Sequence, residues 1–203
     1  MSLAKTLWQD NSDLATRILG HGFVRGLADG SLPIHCFKGY VAQDAYFLES
    51  FARAYAFCLA YSTEREDLQT FADLIAGVRA ELELHKSYAQ RWQVDLSAVN
   101  PLPATNAYVV FLMQTAEQGD LGETVAALTP CMRLYAYLGR SLQTRDVAPL
   151  YREWVETYAD PDFEKLAARL EALLDRHAGD TAPVRANYRR AMELEHGFFD
   201  ASL

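Results

Sequence analysis

The sequence predicts an all-α fold. Apolar residues recur every three or four positions along nearly the whole chain, no alternating strand pattern of useful length interrupts them, and glycine and proline punctuate the helical runs rather than fill them. With 203 residues, 50% of them hydrophobic, the chain suits one compact domain spanning residues 1–203 with a substantial core. The pattern fits a helical bundle of about seven to eight helices.

Residues 3–19 carry the first helical pattern, which stops at Gly20, a natural C-terminal cap. Residues 21–33, with three glycines and a proline, read as a loop. Residues 34–60 place Phe37, Val41, Leu48, Phe51, Tyr55 and Cys58 on one face. Residues 64–92 form a longer and more charged helix, with Leu68, Phe71, Ile75 and Val78 marking its inner side. The prolines of Asn100-Pro-Leu-Pro-Ala104 break the chain. A short helix over 105–117 follows, then a turn at Gly119, then a helix over 121–142. Helices over 148–158, 163–177 and 183–199 complete the set, separated by Asp160-Pro161 and Gly179-Asp180.

Bulk properties exclude several function classes. The net charge is −8 and no basic cluster stands out, which argues against a nucleic-acid partner. No apolar run reaches the roughly 18 residues of a membrane span, and the first residues read as a helix rather than a cleavable leader. A soluble, cytoplasmic protein with no membrane association is the expectation. The three cysteines are widely spaced and form no Cys-x-x-Cys pair, which argues against a disulfide framework or structural zinc.

Candidate chemistry appears where polar residues interrupt apolar stripes, because a pocket in a helical bundle is built from inward side chains of several helices. The helix over 121–142 carries Val125, Leu128, Met132, Tyr135, Leu138 and Leu142 on one face, and Cys131 lies on it one turn before Tyr135. Pro130 precedes the thiol inside the helical pattern, at a cost to helix stability. Either that proline kinks the helix and presents Cys131 to a cavity, or Cys131 is a small apolar core residue. Asp44 stands where the Phe37, Val41, Leu48, Phe51 stripe calls for an apolar residue; it belongs to a pocket or pairs with a surface cation. Glu195 ends the stripe Val184, Tyr188, Met192, and its neighbours Glu193, His196 and Asp200 fit a pocket or a solvated final turn. Tyr108 faces the same way as Phe111 and Leu112. A thiol, two carboxyls and several tyrosines suit attack on an electron-poor ring: one carboxyl takes the thiol proton, another protonates a ring nitrogen, and aromatic walls stack on a planar heterocycle.

Two segments, Phe23-Val-Arg-Gly-Leu-Ala-Asp-Gly-Ser-Leu-Pro33 and Phe37-Lys-Gly-Tyr-Val-Ala-Gln-Asp-Ala-Tyr-Phe-Leu48, resemble the N-terminal signature of the TenA/thiaminase II family. Pro130-Cys-Met-Arg-Leu-Tyr-Ala-Tyr-Leu-Gly139 resembles its cysteine motif, and Trp154-Val-Glu-Thr-Tyr-Ala159 its following helix. The resemblance covers the full length. It implies a heme-oxygenase-like fold, a homotetramer, a small-molecule pyrimidine substrate and no metal or organic cofactor. The implied reaction is hydrolysis of thiamin, or of the aminomethylpyrimidine formed when thiamin degrades, to the hydroxymethylpyrimidine. It implies Cys131 as nucleophile and Glu195 as the acid–base residue at a ring nitrogen. Asp44 and Tyr108 would hold the substrate's polar edge, Tyr135 and Tyr158 would complete the pocket, and Phe47 and Phe198 would also touch the substrate. Phe198 keeps the family's glutamate-to-phenylalanine spacing and selects Glu195 over Glu193.

The chain departs from the family pattern at Phe47, where many members carry a tyrosine that hydrogen-bonds the glutamate, and at Arg133, where an aromatic is common. Rival readings on the same fold are a heme or di-iron oxygenase and a non-catalytic pyrimidine-binding regulator. A di-iron centre wants paired Glu-x-x-His motifs, and only Glu193 to His196 has that spacing.

Overall fold

The computed structural model describes residues 2–118 and 120–203. Among the described residues there are ten α-helices and no strand. The all-α expectation holds, with more helices than the seven to eight expected. The expected first helix is two, α1 (Leu3–Asp10) and α2 (Ser12–Leu19). They part at Asn11, whose side-chain amide turns back to donate to the Leu7 carbonyl at 2.8 Å. The expected loop over 21–33 contains α3 (Gly22–Asp29). His21 caps its start by accepting the Phe23 N–H, and Gly30 ends it in the left-handed conformation at φ 80°. Gly26 lies inside this helix because the chain folds back onto it: a Cβ there would stand 2.8 Å from the Leu32 nitrogen. The turn expected at Gly119 lies outside the described residues.

Helices α4 (Ile34–Tyr61) and α5 (Arg65–Trp92) form a long hairpin joined by three residues, and the short connection makes them antiparallel neighbours. The buried stripe of α5 runs through Asp67, Phe71, Leu74, Val78, His85 and Tyr88. It is turned from the expected one, and Leu68, expected inside, is exposed. After α6 (Pro103–Glu117) comes α7 (Leu121–Gln143), which carries Cys131 and packs against α4, α6, α8 (Arg152–Ala159), α9 (Pro161–His177) and α10 (Ala182–Asp200). The α7 stripe from Val125 to Leu142 is buried as its periodicity predicts, and α7 runs unbroken through Pro130. Burying each such aliphatic side chain contributes about 1.5–3 kcal/mol, so this face anchors the bundle. Ion pairs of Arg185 with Asp10 and of Arg189 with Asp13 tie α10 to α1 and α2, and His21 and His196 both pair with Asp200. Among the described residues no helix is long and apolar enough to cross a membrane.

Two glycines let α7 approach its neighbours closely. At Gly122 a Cβ would stand 2.6 Å from the His177 carbonyl oxygen, and at Gly139 it would fall inside contact distance of the Tyr158 backbone. Gly139→Ala should therefore lower the unfolding free energy by about 1–3 kcal/mol, the usual cost of overpacking. Gly197→Ala, where a Cβ meets nothing within 4 Å, should be neutral or stabilising. Denaturant titration of both variants checks this, and equal effects would contradict the close α7–α8 approach.

Candidate active site

A cavity of about 490 Å³ opens between α4, α5, α7 and the α8–α9 junction. Its walls are mostly apolar, among them Phe47, Leu48 and Phe51 of α4, Val78 of α5, Met132 of α7 and Phe163 of α9. A few polar groups converge on it: Asp44, Glu81, Cys131, Tyr135 and Tyr158. Exposed Asp160 and Asp162 stand at its rim. Size and lining suit a drug-sized planar ligand held by a small set of oriented polar contacts.

Cys131 faces the cavity and is only partly buried, unlike Cys36 and Cys58. Its thiol lies against the carboxyl group of Glu195, which reaches it from α10. Behind them the Tyr108 hydroxyl donates to Glu195 Oε1 at 2.8 Å. Glu195 is 1% exposed, and burial pushes its pKa up to about 8 against the opposing pull of the Tyr108 and Cys131 hydrogen bonds. Burial, then the neighbouring charge of Glu195, raises the Cys131 thiol well above its ordinary value. At neutral pH the pair therefore rests as a thiol beside a predominantly protonated carboxyl.

The opposite polar group is Asp44. Its Oδ2 accepts from His85 Nε2 at 2.7 Å, and His85 Nδ1 donates to the Glu81 carbonyl at 2.9 Å. Both ring nitrogens thus face acceptors, the arrangement of an imidazolium. Burial opposes that charge, but the hydrogen bond and attraction of Asp44 outweigh it and raise the His85 pKa to about 9. Tyr40 places its hydroxyl 3.3 Å from Asp44 Oδ2 and 3.2 Å from the Tyr135 hydroxyl, and accepts from the Trp154 indole at 3.3 Å. With one proton to give, Tyr40 donates to the carboxylate, so Tyr135 donates to Tyr40. Tyr158 packs edge-on against Tyr135 at 4.7 Å and donates to Glu81 Oε1 at 2.5 Å.

Of the residues expected in the pocket, Cys131, Asp44, Phe47, Tyr135 and Tyr158 line the cavity. Glu195 stands just behind Cys131, and Glu193 is on the surface with Arg189 and Arg190. Tyr108 and Phe198, expected to touch substrate, are not in the cavity wall. Tyr108 is turned to Glu195 instead, and Phe198 packs behind Phe47 at 5.9 Å. The Phe47 ring lies 4.6 Å from that of Tyr108, so the glutamate has a tyrosine hydroxyl although residue 47 supplies none. Arg133 turns away from the cavity to Glu164 and Glu171. Glu193 and His196 also diverge, His196 pairing with Asp200, so they do not form one half of a di-iron site. Sequence reasoning missed Glu81 and His85. They follow Val78 by one turn and two on α5, and the same search for polar residues in an apolar stripe would have found them with that stripe set correctly.

A sequence model of the TENA/THI-4/PQQC family matches residues 8–203. The chain is 30% identical to the aminopyrimidine aminohydrolase of Halalkalibacterium halodurans, over 98% of this chain and 95% of that protein. It is 31% identical to the aminopyrimidine aminohydrolase of Bacillus subtilis, over 83% of this chain and 74% of that one. In fold it is similar to the crystal structure of a TenA family transcription regulator from Silicibacter sp. TM1040, with a TM-score of 0.91 at 25% identity, covering 98% of this chain and 95% of that chain.

The site's protonation leaves a signature in stability. Folding raises Glu195 from 4.5 to about 8 and His85 from 6.5 to about 9, so each keeps a proton that the unfolded chain releases. Stability should fall as pH rises through the window from 6.5 to 8 where both act, and continue to fall toward 9. Denaturant titrations across that range test this, and Glu195→Gln should flatten the lower part of the slope. Stability that held constant or rose would contradict both assignments.

Proposed function

The chain belongs to the TENA/THI-4/PQQC family, and from that premise we propose that it is a hydrolase of aminopyrimidines in thiamin salvage, acting on thiamin or on aminomethyl-methylpyrimidine. The observation that carries the reading is the Cys131 thiol on an aromatic-walled cavity with the buried, proton-bearing Glu195 beside it. The names of the two aminohydrolase relatives agree with it.

Cys131 serves as the nucleophile. An electron-poor ring stacks among Phe47, Tyr135 and Tyr158, with its polar edge on Asp44, which His85 and Tyr40 hold in place. Glu195 gives its proton to the ring nitrogen next to the carbon facing Cys131, which makes that carbon electrophilic. The glutamate, now a carboxylate, takes the thiol proton as sulfur bonds to the carbon. The ring accepts the sulfur's electron pair, and the bond from the exocyclic methylene to the leaving group then breaks with its pair on the leaving group. Water adds to the methylene and releases a proton to solvent. Finally sulfur departs with its bonding pair, and the ring-nitrogen proton returns through Glu195 to Cys131. Tyr108 acts as a positioning residue, since its hydroxyl fixes the glutamate. On the family resemblance alone we also propose a cytoplasmic homotetramer of single-domain subunits.

Cys131→Ser should leave the fold intact while hydrolysis of both substrates falls by at least about two orders of magnitude, because an alkoxide is far harder to form than a thiolate. Steady-state assays with circular dichroism as the fold control decide it. Near-normal turnover by the serine variant would reduce Cys131 to a core residue. A wild-type protein that binds the pyrimidine without turnover would be a regulator instead.

A further inference from the structure

Glu81 is a cavity carboxyl that the ring chemistry leaves unused. It enters from α5, on a different wall from Cys131 of α7. Its Oε1 is occupied, because the Tyr158 hydroxyl donates to it at 2.5 Å. In a carboxylic acid the carbonyl oxygen is the better acceptor, so with Oε1 accepting from Tyr158 the acid proton belongs on Oε2. Among the described residues no donor engages Oε2, and the side chain lines the cavity. Its surroundings favour the acid form: burial, followed by the charge of Asp44, pushes its pKa upward, against the pull of His85 and Tyr158.

We propose that Glu81 is a further catalytic residue, the general acid that delivers a proton to an amine leaving group. The inference rests on the hydrolase reading and extends it to substrate choice. The two candidate substrates share a ring and differ in what departs. A thiazolium leaves as a neutral thiazole when its bond to the methylene breaks, so its departure requires no proton. A neutral amine would leave as amide anion and needs one. Glu81 Oε2 gives its proton to the amine nitrogen; the C–N bond then breaks with its electron pair on nitrogen, and ammonia departs. The water that adds to the methylene releases one proton, which restores the acid form of Glu81 through the open cavity. Atoms and charge balance as amine plus water giving alcohol plus ammonia. Glu81 thus tunes the site toward an amine-bearing pyrimidine.

The test compares kcat for aminomethyl-methylpyrimidine and for thiamin, in wild type and in Glu81→Gln, at one pH. The ratio of amine to thiamin turnover should fall by at least about tenfold in the glutamine variant, the lower side of what general acid catalysis contributes. Glu81→Asp, which keeps an acid, should recover part of the ratio and also control for altered packing. An unchanged ratio, whatever the absolute rates, would overturn the proposal while leaving the hydrolase reading standing. A wild-type protein inactive on both substrates would overturn the hydrolase reading and this one with it.

Discussion

Two carboxyl groups, Asp44 and Glu81, line one largely apolar cavity and a third, Glu195, is buried just behind its Cys131, and the rest of the site is arranged around that constraint. Burying a bare carboxylate costs several kcal/mol, and neighbouring carboxylates repel one another besides. The structure meets the cost in two ways. Asp44 is paired with His85, whose other nitrogen is held by the Glu81 carbonyl. Glu195 and Glu81 instead tend to keep their protons, each with one oxygen held by a tyrosine hydroxyl. The surroundings thereby divide the three: Asp44 is held by an imidazole, while burial pushes Glu195 and Glu81 toward the acid form. Pairs of titratable groups whose environments push them apart mark acid and base roles in many enzymes.

The fold is built to hold those groups at fixed distances. They come from six helices: Asp44 from α4, Glu81 and His85 from α5, Tyr108 from α6, Cys131 from α7, Tyr158 from α8 and Glu195 from α10. Helix α7 packs against most of these helices, and its Gly139 allows the close approach of the Tyr158 backbone. The aromatic cluster of Phe23, Tyr40, Phe199 and Tyr135 fills the space behind and fixes the rotamers of the hydrogen-bonding tyrosines.

Much of this was legible in the sequence, for reasons that also mark where reading fails. The α7 stripe is strongly periodic, so its buried face was readable residue by residue. Asp44 and Glu195 stood out because each interrupts such a stripe, and both are buried. Helix α3 was hidden by its glycines, which serve a close approach at Gly26 and a left-handed cap at Gly30 but look like loop composition. The break at Asn11 has neither glycine nor proline to announce it. On α5 a charged residue took an inner position: Asp67 is buried against Arg176 and His177, while Leu68 next to it is exposed. That displaced the stripe and concealed Glu81 and His85. The turn of Tyr108 toward Glu195 is a contact between residues 87 apart that no local pattern encodes.

Everything proposed for the site depends on Glu195 keeping its proton at neutral pH, held so by burial. Infrared difference spectra of wild type minus Glu195→Gln, taken along a pH series, observe that proton directly. A protonated-carboxyl band should be present at pH 7, be absent from the glutamine variant and disappear with a midpoint near 8. A Glu195 already ionised at pH 7, with its midpoint in the ordinary carboxylate range, would contradict it.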